Sequence, residues 1–337
     1  MKKCRGCGVE LQSIDKDKEG YVVNDTFDYC QRCFRLMHYG DTSKIKKDIS
    51  ANSKIIDECK KINDALYVLI VDPFEALFLK KDQFLIAKDT LLIINKIDLF
   101  PKNFNEDKID NLYRNVLKDL GINCLVSHKN DLHFNDLFLN TIKEFNHQNI
   151  VFIGKANVGK STLINKFIGE NKLTTSMYPG TTVSLNKFTY EGYTFIDTPG
   201  LIDEESFLTY LDNKLIKKLI PFKTIKPLNF QVYSEQSYII EGLLELDVSP
   251  KKETSISFLI NNNLNVHRTK KENSANYLKN NIKNISLKLL PFKDNYYDIN
   301  NRVFYLKGLG LIIIKGKCKI NLRVNEKIKI YDEKVDI

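Results

Sequence analysis

The 337-residue chain contains no tryptophan. No apolar run in it approaches the ~20 residues of a membrane span, so no transmembrane helix is expected. Missing tryptophan with abundant Lys, Asn and Ile is what an AT-rich coding sequence produces, and this accounts for much of the lysine. The first residues, Met1 to Cys4, pass at once into a cysteine motif. A signal or transit peptide is therefore not expected, and a cytoplasmic location is. No RNA-binding signature is present either. What remains is ordinary for soluble globular protein, 43% hydrophobic and 28% charged, with room for two or three domains.

Charge is distributed unevenly. Residues 221–337 hold 20 Lys and Arg against 12 Asp and Glu, while residues 1–220 hold 31 against 30. Codon bias enriches lysine everywhere and does not explain this asymmetry. A basic C-terminal part predicts a polyanionic partner, nucleic acid first, against the alternative of a merely solvated basic surface.

Four of the seven cysteines, Cys4, Cys7, Cys30 and Cys33, form C-x2-C-x22-C-x2-C. Each pair puts two thiolates on one tight knuckle, and two knuckles complete a tetrahedral S4 site for zinc. Disulfides are the competing reading, opposed by an intracellular chain with three more scattered cysteines. With all four positions filled by protein, the zinc is expected to be structural. Cys59, Cys124 and Cys318 have no ligand spacing and read as buried thiols.

Asn95-Lys96-Ile97-Asp98 directly follows an apolar strand pattern, Thr90–Ile94. It has the form of a guanine-reading loop, in which the Asp98 carboxylate accepts from N1 and the exocyclic amine of guanine. Adenine offers no matching donors, so GTP is selected over ATP. Ser127-His128-Lys129, after the pattern Ile122–Val126, stands where a Ser-Ala-Lys loop contacts guanine O6 through a backbone amide. His128 replaces the alanine, a change that a backbone contact tolerates.

Gly154-Lys155-Ala156-Asn157-Val158-Gly159-Lys160-Ser161 follows the strand pattern Asn149–Ile153 and opens a helix continuing from Thr162. This is a P-loop. Gly154 and Gly159 let the backbone wrap phosphates, and the amides between them form an inward nest. Lys160 reaches the β- and γ-phosphates, Ser161 ligates Mg²⁺, and the helix N-terminus adds to anion binding. Met177–Thr182 is the expected switch I, with Thr182, or else Thr181, ligating Mg²⁺ and sensing the γ-phosphate. The strand pattern Tyr193–Ile196 delivers Asp197-Thr198-Pro199-Gly200, in which Asp197 holds Mg²⁺ through water and the Gly200 amide contacts the γ-phosphate. Lys160, Thr182 and Gly200 are the expected catalytic groups.

Leu201 follows Gly200, where many GTPases carry a glutamine that orients the attacking water. An aliphatic side chain cannot do this, so slow intrinsic hydrolysis is expected. In several GTPases with an aliphatic residue here, an asparagine at the position of Asn157 ligates a potassium ion that substitutes for an arginine finger. Asn157 is therefore either a potassium ligand or a tolerated loop residue.

The guanine reader precedes the P-loop, whereas in an ordinary GTPase it follows by more than a hundred residues. Six strand patterns are present, cut between the Asp197 strand and the Ala65–Asp72 strand. The predicted fold is α/β, a circularly permuted P-loop G domain with a mostly parallel sheet and helices on both faces. Expected boundaries are a zinc module over 1–40, the G domain over 41–220 and a basic, β-rich part over 221–337. The permutation sends the segment after Gly200 directly into that basic part, which would make it a coupling device.

These elements together resemble the YqeH family of circularly permuted GTPases. The resemblance includes Cys4-Arg5-Gly6-Cys7-Gly8, Cys30-Gln31-Arg32-Cys33-Phe34-Arg35-Leu36, Pro179-Gly180-Thr181-Thr182, Val266-His267-Arg268-Thr269-Lys270 and Gly308-Leu309-Gly310. It implies a factor in assembly of the small ribosomal subunit, with GTP or GDP, Mg²⁺ and Zn²⁺ as cofactors and rRNA and ribosomal proteins as partners. Pro73-Phe74-Glu75-Ala76 departs from the family, where an Asp-Phe-x-Gly-Ser stretch is common, and this leaves that loop without an assigned role. The reading from a different class is a GTP-regulated RNA- or protein-binding scaffold in which hydrolysis is incidental.

Past Pro221, strand patterns appear at Phe230–Tyr233, Ile256–Ile260 and Gly310–Ile314. Lys315, Lys317, Lys319 and Arg323 alternate with other residues, placing the cations on one sheet face. His267, Arg268, Lys270 and Lys271 form a second basic cluster. Tyr296, Tyr297 and Tyr305 are either core residues or stacking platforms for RNA bases.

Overall fold

The computed structural model describes residues 2–39, 51–80, 89–102, 113–114, 116–128, 131–169, 185–281 and 292–334. The expected switch I, with Thr181 and Thr182, and the expected guanine-loop residue Lys129 lie outside these residues. Contacts divide the chain into two compact units: Met1–Asp98 with Glu106–Asp203, and Leu99–Asn105 with Glu204–Ile337.

The first unit is built on a six-stranded sheet. In chain order its strands are β1 (Ala65–Val71), β2 (Thr90–Ile94), β3 (Asn123–Val126), β4 (Asn149–Gly154), β5 (Asn186–Tyr190) and β6 (Tyr193–Asp197). In space they run β3-β2-β1-β4-β6-β5. All neighbours are parallel except the β5–β6 pair. Those two are joined by Glu191 and Gly192, both at positive φ, the geometry a two-residue hairpin turn requires.

Strand β1 is apolar throughout because both of its faces are covered. Leu66, Val68 and Ile70 face a cluster with Phe134, Phe138 and Ile142 of one helix (Phe134–Phe145) and Leu163, Ile164 and Phe167 of another (Lys160–Ile168). On the opposite face Tyr67 packs with Ile55 and Cys59 of the helix Ala51–Lys60, and with Val151, Ile153 and Ile196. The Phe138 and Phe167 rings stack at 4.4 Å. Such a pair adds about 0.5–1.5 kcal/mol beyond the area it buries.

The strand bounds follow the motifs closely, since each motif begins at or just after the last residue of a parallel strand. Asp72, Asn95, Ser127, the P-loop and the Asp197–Gly200 loop therefore all leave the carboxyl ends of parallel strands. That edge is where open α/β sheets bind ligands.

At the start of the unit, residues 2–39 fold around the cysteines. Cys4 N–H donates to Val9 O at 2.8 Å and Gly8 N–H to Cys4 O at 2.9 Å, closing the first knuckle. The second ends at Cys33, inside a helix running Gln31–Tyr39. Gly20, at φ 81°, lies so close to Glu10 O that a Cβ would stand 1.9 Å away, so no other residue fits there.

The second unit is antiparallel. Nine strands form one sheet: β7 (Leu228–Val232), β8 (Gln236–Ile240), β9 (Leu244–Pro250), β10 (Thr254–Ile260), β11 (Val266–Lys270), β12 (Phe292–Lys293), β13 (Tyr296–Leu306), β14 (Gly310–Asn325) and β15 (Ile330–Lys334). Strand β14 is the organising element, pairing with β9, β10, β12 and β13. It runs 16 residues and takes in both the apolar pattern Gly310–Ile314 and the alternating cations Lys315–Arg323. Gly316, at φ 100°, lies where β14 has one residue more than β13 and the register shifts, and Asn301 of β13 accepts its N–H at 2.8 Å.

Lys315, Lys317 and Lys319 of β14 are exposed, with the register shift falling between the first two, and Arg323 is half-buried. Arg323 is engaged with Glu245 at 2.6 Å and Asp294 at 3.0 Å. Tyr305 is core, Tyr297 is half-buried and Tyr296 is exposed. His267 stacks on Tyr277 at 3.5 Å, and Arg268 donates to Gln236 and to Gln231 O while lying over Phe230 and Tyr238.

Candidate nucleotide and metal sites

The loop after β4 begins at Gly154, where a Cβ would stand 2.5 Å from Ile70 O of the neighbouring strand. Asn157 and Gly159 sit at φ 73° and 92°, so the backbone curls twice before Lys160 starts its helix. Val158 between them is buried in the core and anchors the loop. Lys160, itself buried, donates to Asp197 Oδ1 at 2.8 Å, and Ser161 Oγ lies 3.4 Å from Asp197 Oδ2. Thr162 is exposed one residue further on. Asp197 and Ser161 are hard oxygen donors side by side, a set that fits Mg²⁺.

The guanine-reading loop is tied to the P-loop across more than sixty residues of chain. Asn95, buried, donates from Nδ2 to Val158 O at 2.8 Å, and Lys96 Nζ donates to Asn157 O at 2.5 Å. Lys96 adopts φ 62°, and burial lowers the pKa of its ammonium. Asp98 is half-buried in a short 3-10 turn, Ile97–Leu99. Ser127 is buried beside it: its N–H reaches Ile94 O at 2.8 Å and its carbonyl accepts from Ile97 N–H at 3.1 Å. His128 points to solvent, 3.8 Å from Asp131.

The loop after β6 returns along the P-loop. Gly200 lies where a Cβ would be 3.0 Å from Ala156 Cα. Leu201 N–H donates to Gly154 O at 3.0 Å, and Ala156 N–H donates to Leu201 O at 2.8 Å. Three side chains that motif reading passed over hold the same stretch. Asn52 makes a reciprocal amide clip with the Ile202 backbone, at 2.7 and 3.0 Å. Lys155 bridges Glu75 and Asp203. None follows a periodic pattern; the only sequence signal was that Glu75 lies in the loop departing from the family.

Asn157 has both side-chain polar atoms buried with no protein hydrogen-bond partner. A buried amide in that state calls for a ligand, and the carbonyl oxygen suits an alkali cation.

The four N-terminal cysteines come together. Their sulfurs lie within 4.8 Å of one another and all four residues are buried. Cys7 and Cys30 sulfurs are 3.7 Å apart, against about 3.8 Å between ligands of a tetrahedral Zn–S4 centre with 2.3 Å bonds. Cys30 N–H donates to Cys4 Sγ at 3.2 Å, as amides do to thiolate. Donor type, number and spacing all fit zinc. Among the described residues this is the one such cluster of potential metal ligands. Burial pushes the other thiols up, to about 11 at Cys59 and Cys318 and about 12 at Cys124.

Comparison with known proteins agrees with this architecture. A family model described as "50S ribosome-binding GTPase" matches residues 149–244. YqeH of Bacillus subtilis (strain 168) is 30% identical over 285 residues, 79% of this chain and 77% of that protein. GTPase Der of Buchnera aphidicola (strain Tuc7) is 36% identical over 136 residues, and Der of Clostridium botulinum (strain Hall) 34% over 128. Each Der match covers 34% of this chain and under a third of Der itself, so that likeness is of one GTPase unit. The match to YqeH instead extends over more than three quarters of both proteins, and the chain accordingly belongs to the YqeH family and is a GTPase.

Proposed function

We propose that this GTPase acts in the cytoplasm in assembly of the small (30S) ribosomal subunit, its GTP state gating association with rRNA or ribosomal proteins. The observation that carries the reading is the row of exposed cations Lys315, Lys317 and Lys319 on β14, in a chain of this family. Closely spaced exposed cations suit a phosphate backbone.

The nucleotide chemistry follows from the loops. Lys160 and the P-loop amides hold the phosphates, Asp98 and the Ser127 loop read guanine, and Gly200 senses the γ-phosphate. Ser161, Asp197 and Thr182 would hold Mg²⁺, which neutralises charge developing on the phosphate oxygens. Leu201 supplies no group to orient water, so turnover is slow and Asn157 is the candidate site for potassium assistance. The cysteine site, loaded with zinc, would fix the fold of residues 2–39.

Switching would pass along the chain itself. Residues 201–203 are held within the first unit. Residues 205–207 are held within the second, where Glu205 accepts from Lys307 at 2.5 Å and Tyr331 at 2.9 Å and Phe207 N–H reaches Lys307 O at 3.0 Å. The division between the units falls between Asp203 and Glu204, whose carbonyl accepts from Tyr210 at 2.7 Å.

Co-sedimentation of the full chain with purified 30S and 50S subunits tests the partner. Binding to 30S supports the proposal. Binding to 50S alone, the subunit named in the matching family description, or to neither, refutes it.

A further inference from the structure

Lys155 occupies the second position of the P-loop, where phosphate binding asks only for a backbone. Its ammonium is instead turned away into an ion cluster, contacting Glu75 Oε1 and lying 2.6 Å from Asp203 Oδ2. Both carboxylates are well covered, each side chain 12% exposed. The three residues come from three elements that meet at the nucleotide edge of the sheet: the loop after β1, the P-loop, and the return of the Asp197–Gly200 loop. Asp72 caps the short helix Pro73–Ala76 by accepting from Phe74 and Glu75 N–H, and this fixes where Glu75 points.

The location matters because of what the Asp197–Gly200 loop lacks. With Leu201 unable to orient water, the loop contributes to hydrolysis through the position of its backbone. Gly200 already lies against Ala156, where a Cβ would be tight at 3.0 Å from its Cα, and Leu201 is zipped to Gly154 and Ala156 by two backbone hydrogen bonds. Beyond that zipper the chain is held on both sides, by Asn52 at Ile202 and by Lys155 at Asp203.

We propose that Lys155 is a positioning residue for GTP hydrolysis: braced by Glu75, it holds Asp203 and so fixes the Gly200 backbone against the P-loop. It touches no reacting atom and acts through the loop. This rests on the GTPase assignment, and hydrolysis by the wild-type chain checks that assignment separately. Because GDP has no γ-phosphate, loss of the brace affects turnover and leaves GDP binding in place.

The test is single-turnover GTP hydrolysis by the full chain, alongside titration with a fluorescent GDP. For Lys155→Met and Asp203→Asn the rate constant falls about tenfold while GDP affinity stays within about twofold. The double variant is no slower than the slower single, as residues in one chain of contacts behave. Lys155→Arg, keeping the charge, recovers most of the rate. Wild-type rates in the single variants, additive losses in the double, or GDP affinity falling in step with the rate would each overturn the proposal. Lys155→Met leaves Glu75 buried beside an apolar partner and could fail to fold. Glu75→Gln with Lys155→Met removes both charges, and a folded protein of that kind turning over at the wild-type rate also overturns it.

Discussion

A Cβ placed on Gly159 would stand 2.5 Å from the side-chain nitrogen of Asn95. The guanine-reading loop and the P-loop are thus one packed object, although the chain places them 64 residues apart and in the reverse of the ordinary order. Asn95 bonds Val158 O and Lys96 bonds Asn157 O across the same seam. The base site and the phosphate site can therefore be damaged together by a single methyl group.

Gly159→Ala is that test. The residue also sits at φ 92°, where a side chain is strained by about 1–2 kcal/mol before any clash. GTP and GDP affinity should both fall at least about tenfold, read with fluorescent nucleotides, with far-UV circular dichroism unchanged. Unaltered affinity would mean that the seam does not shape the site.

The unpartnered amide of Asn157 predicts potassium-stimulated hydrolysis. Rates in KCl should exceed those in NaCl at equal ionic strength by about tenfold, an effect near 1.4 kcal/mol on the barrier. Asn157→Ala should remove the difference. Equal rates in the two salts would return Asn157 to the role of a loop residue.

Zinc content gives a third check. The purified chain should carry about one zinc per molecule, bound by the four sulfurs. Cys30→Ser should lose it and release residues 2–39 to proteolysis. A metal-free protein with that segment still protected would contradict the assignment.

At the opposite end of the sheet, His147 joins the starts of two strands, with Nδ1 2.9 Å from Asp64 and Nε2 3.0 Å from Asp89. The hydrogen bond to Asp64, then that to Asp89, outweighs partial burial and raises the imidazole pKa, while the Asp64 carboxyl is lowered. A raised histidine stabilises fully below its unfolded value and loses that contribution as pH rises through the folded one. A lowered aspartate stabilises above its unfolded value and loses that contribution as pH falls through the folded one. The clip is strongest on mildly acidic ground between the two. His147→Gln should therefore cost most in melting temperature near pH 5.5–6 and progressively less toward pH 9; a pH-independent difference would show that charge plays no part.

Much of the first unit was legible because motif and strand inform each other. A guanine reader straight after Thr90–Ile94 and a P-loop straight after Asn149–Ile153 each fix a strand end, and parallel pairing then brings the loops to one edge. The 16 residues of β14 showed in the sequence as two separate signals, the apolar pattern Gly310–Ile314 and the alternating cations Lys315–Arg323, because Lys315 and Gly316 interrupt the apolar run where the register shifts. The brace from Glu75 to Lys155 spans 80 residues and obeys no period. Asn52, 150 residues from Ile202, was invisible for the same reason. Such contacts belong to the assembled fold and leave no local pattern in the chain.

The central claim is that nucleotide state gates association with the small subunit, and the most direct measurement is the affinity of the full chain for 30S with a nonhydrolysable GTP analogue and with GDP. Gating predicts binding at least about tenfold tighter with the analogue, a differential near 1.4 kcal/mol between the two states. Equal affinity in both nucleotide states would contradict the account and leave a scaffold in which hydrolysis is incidental.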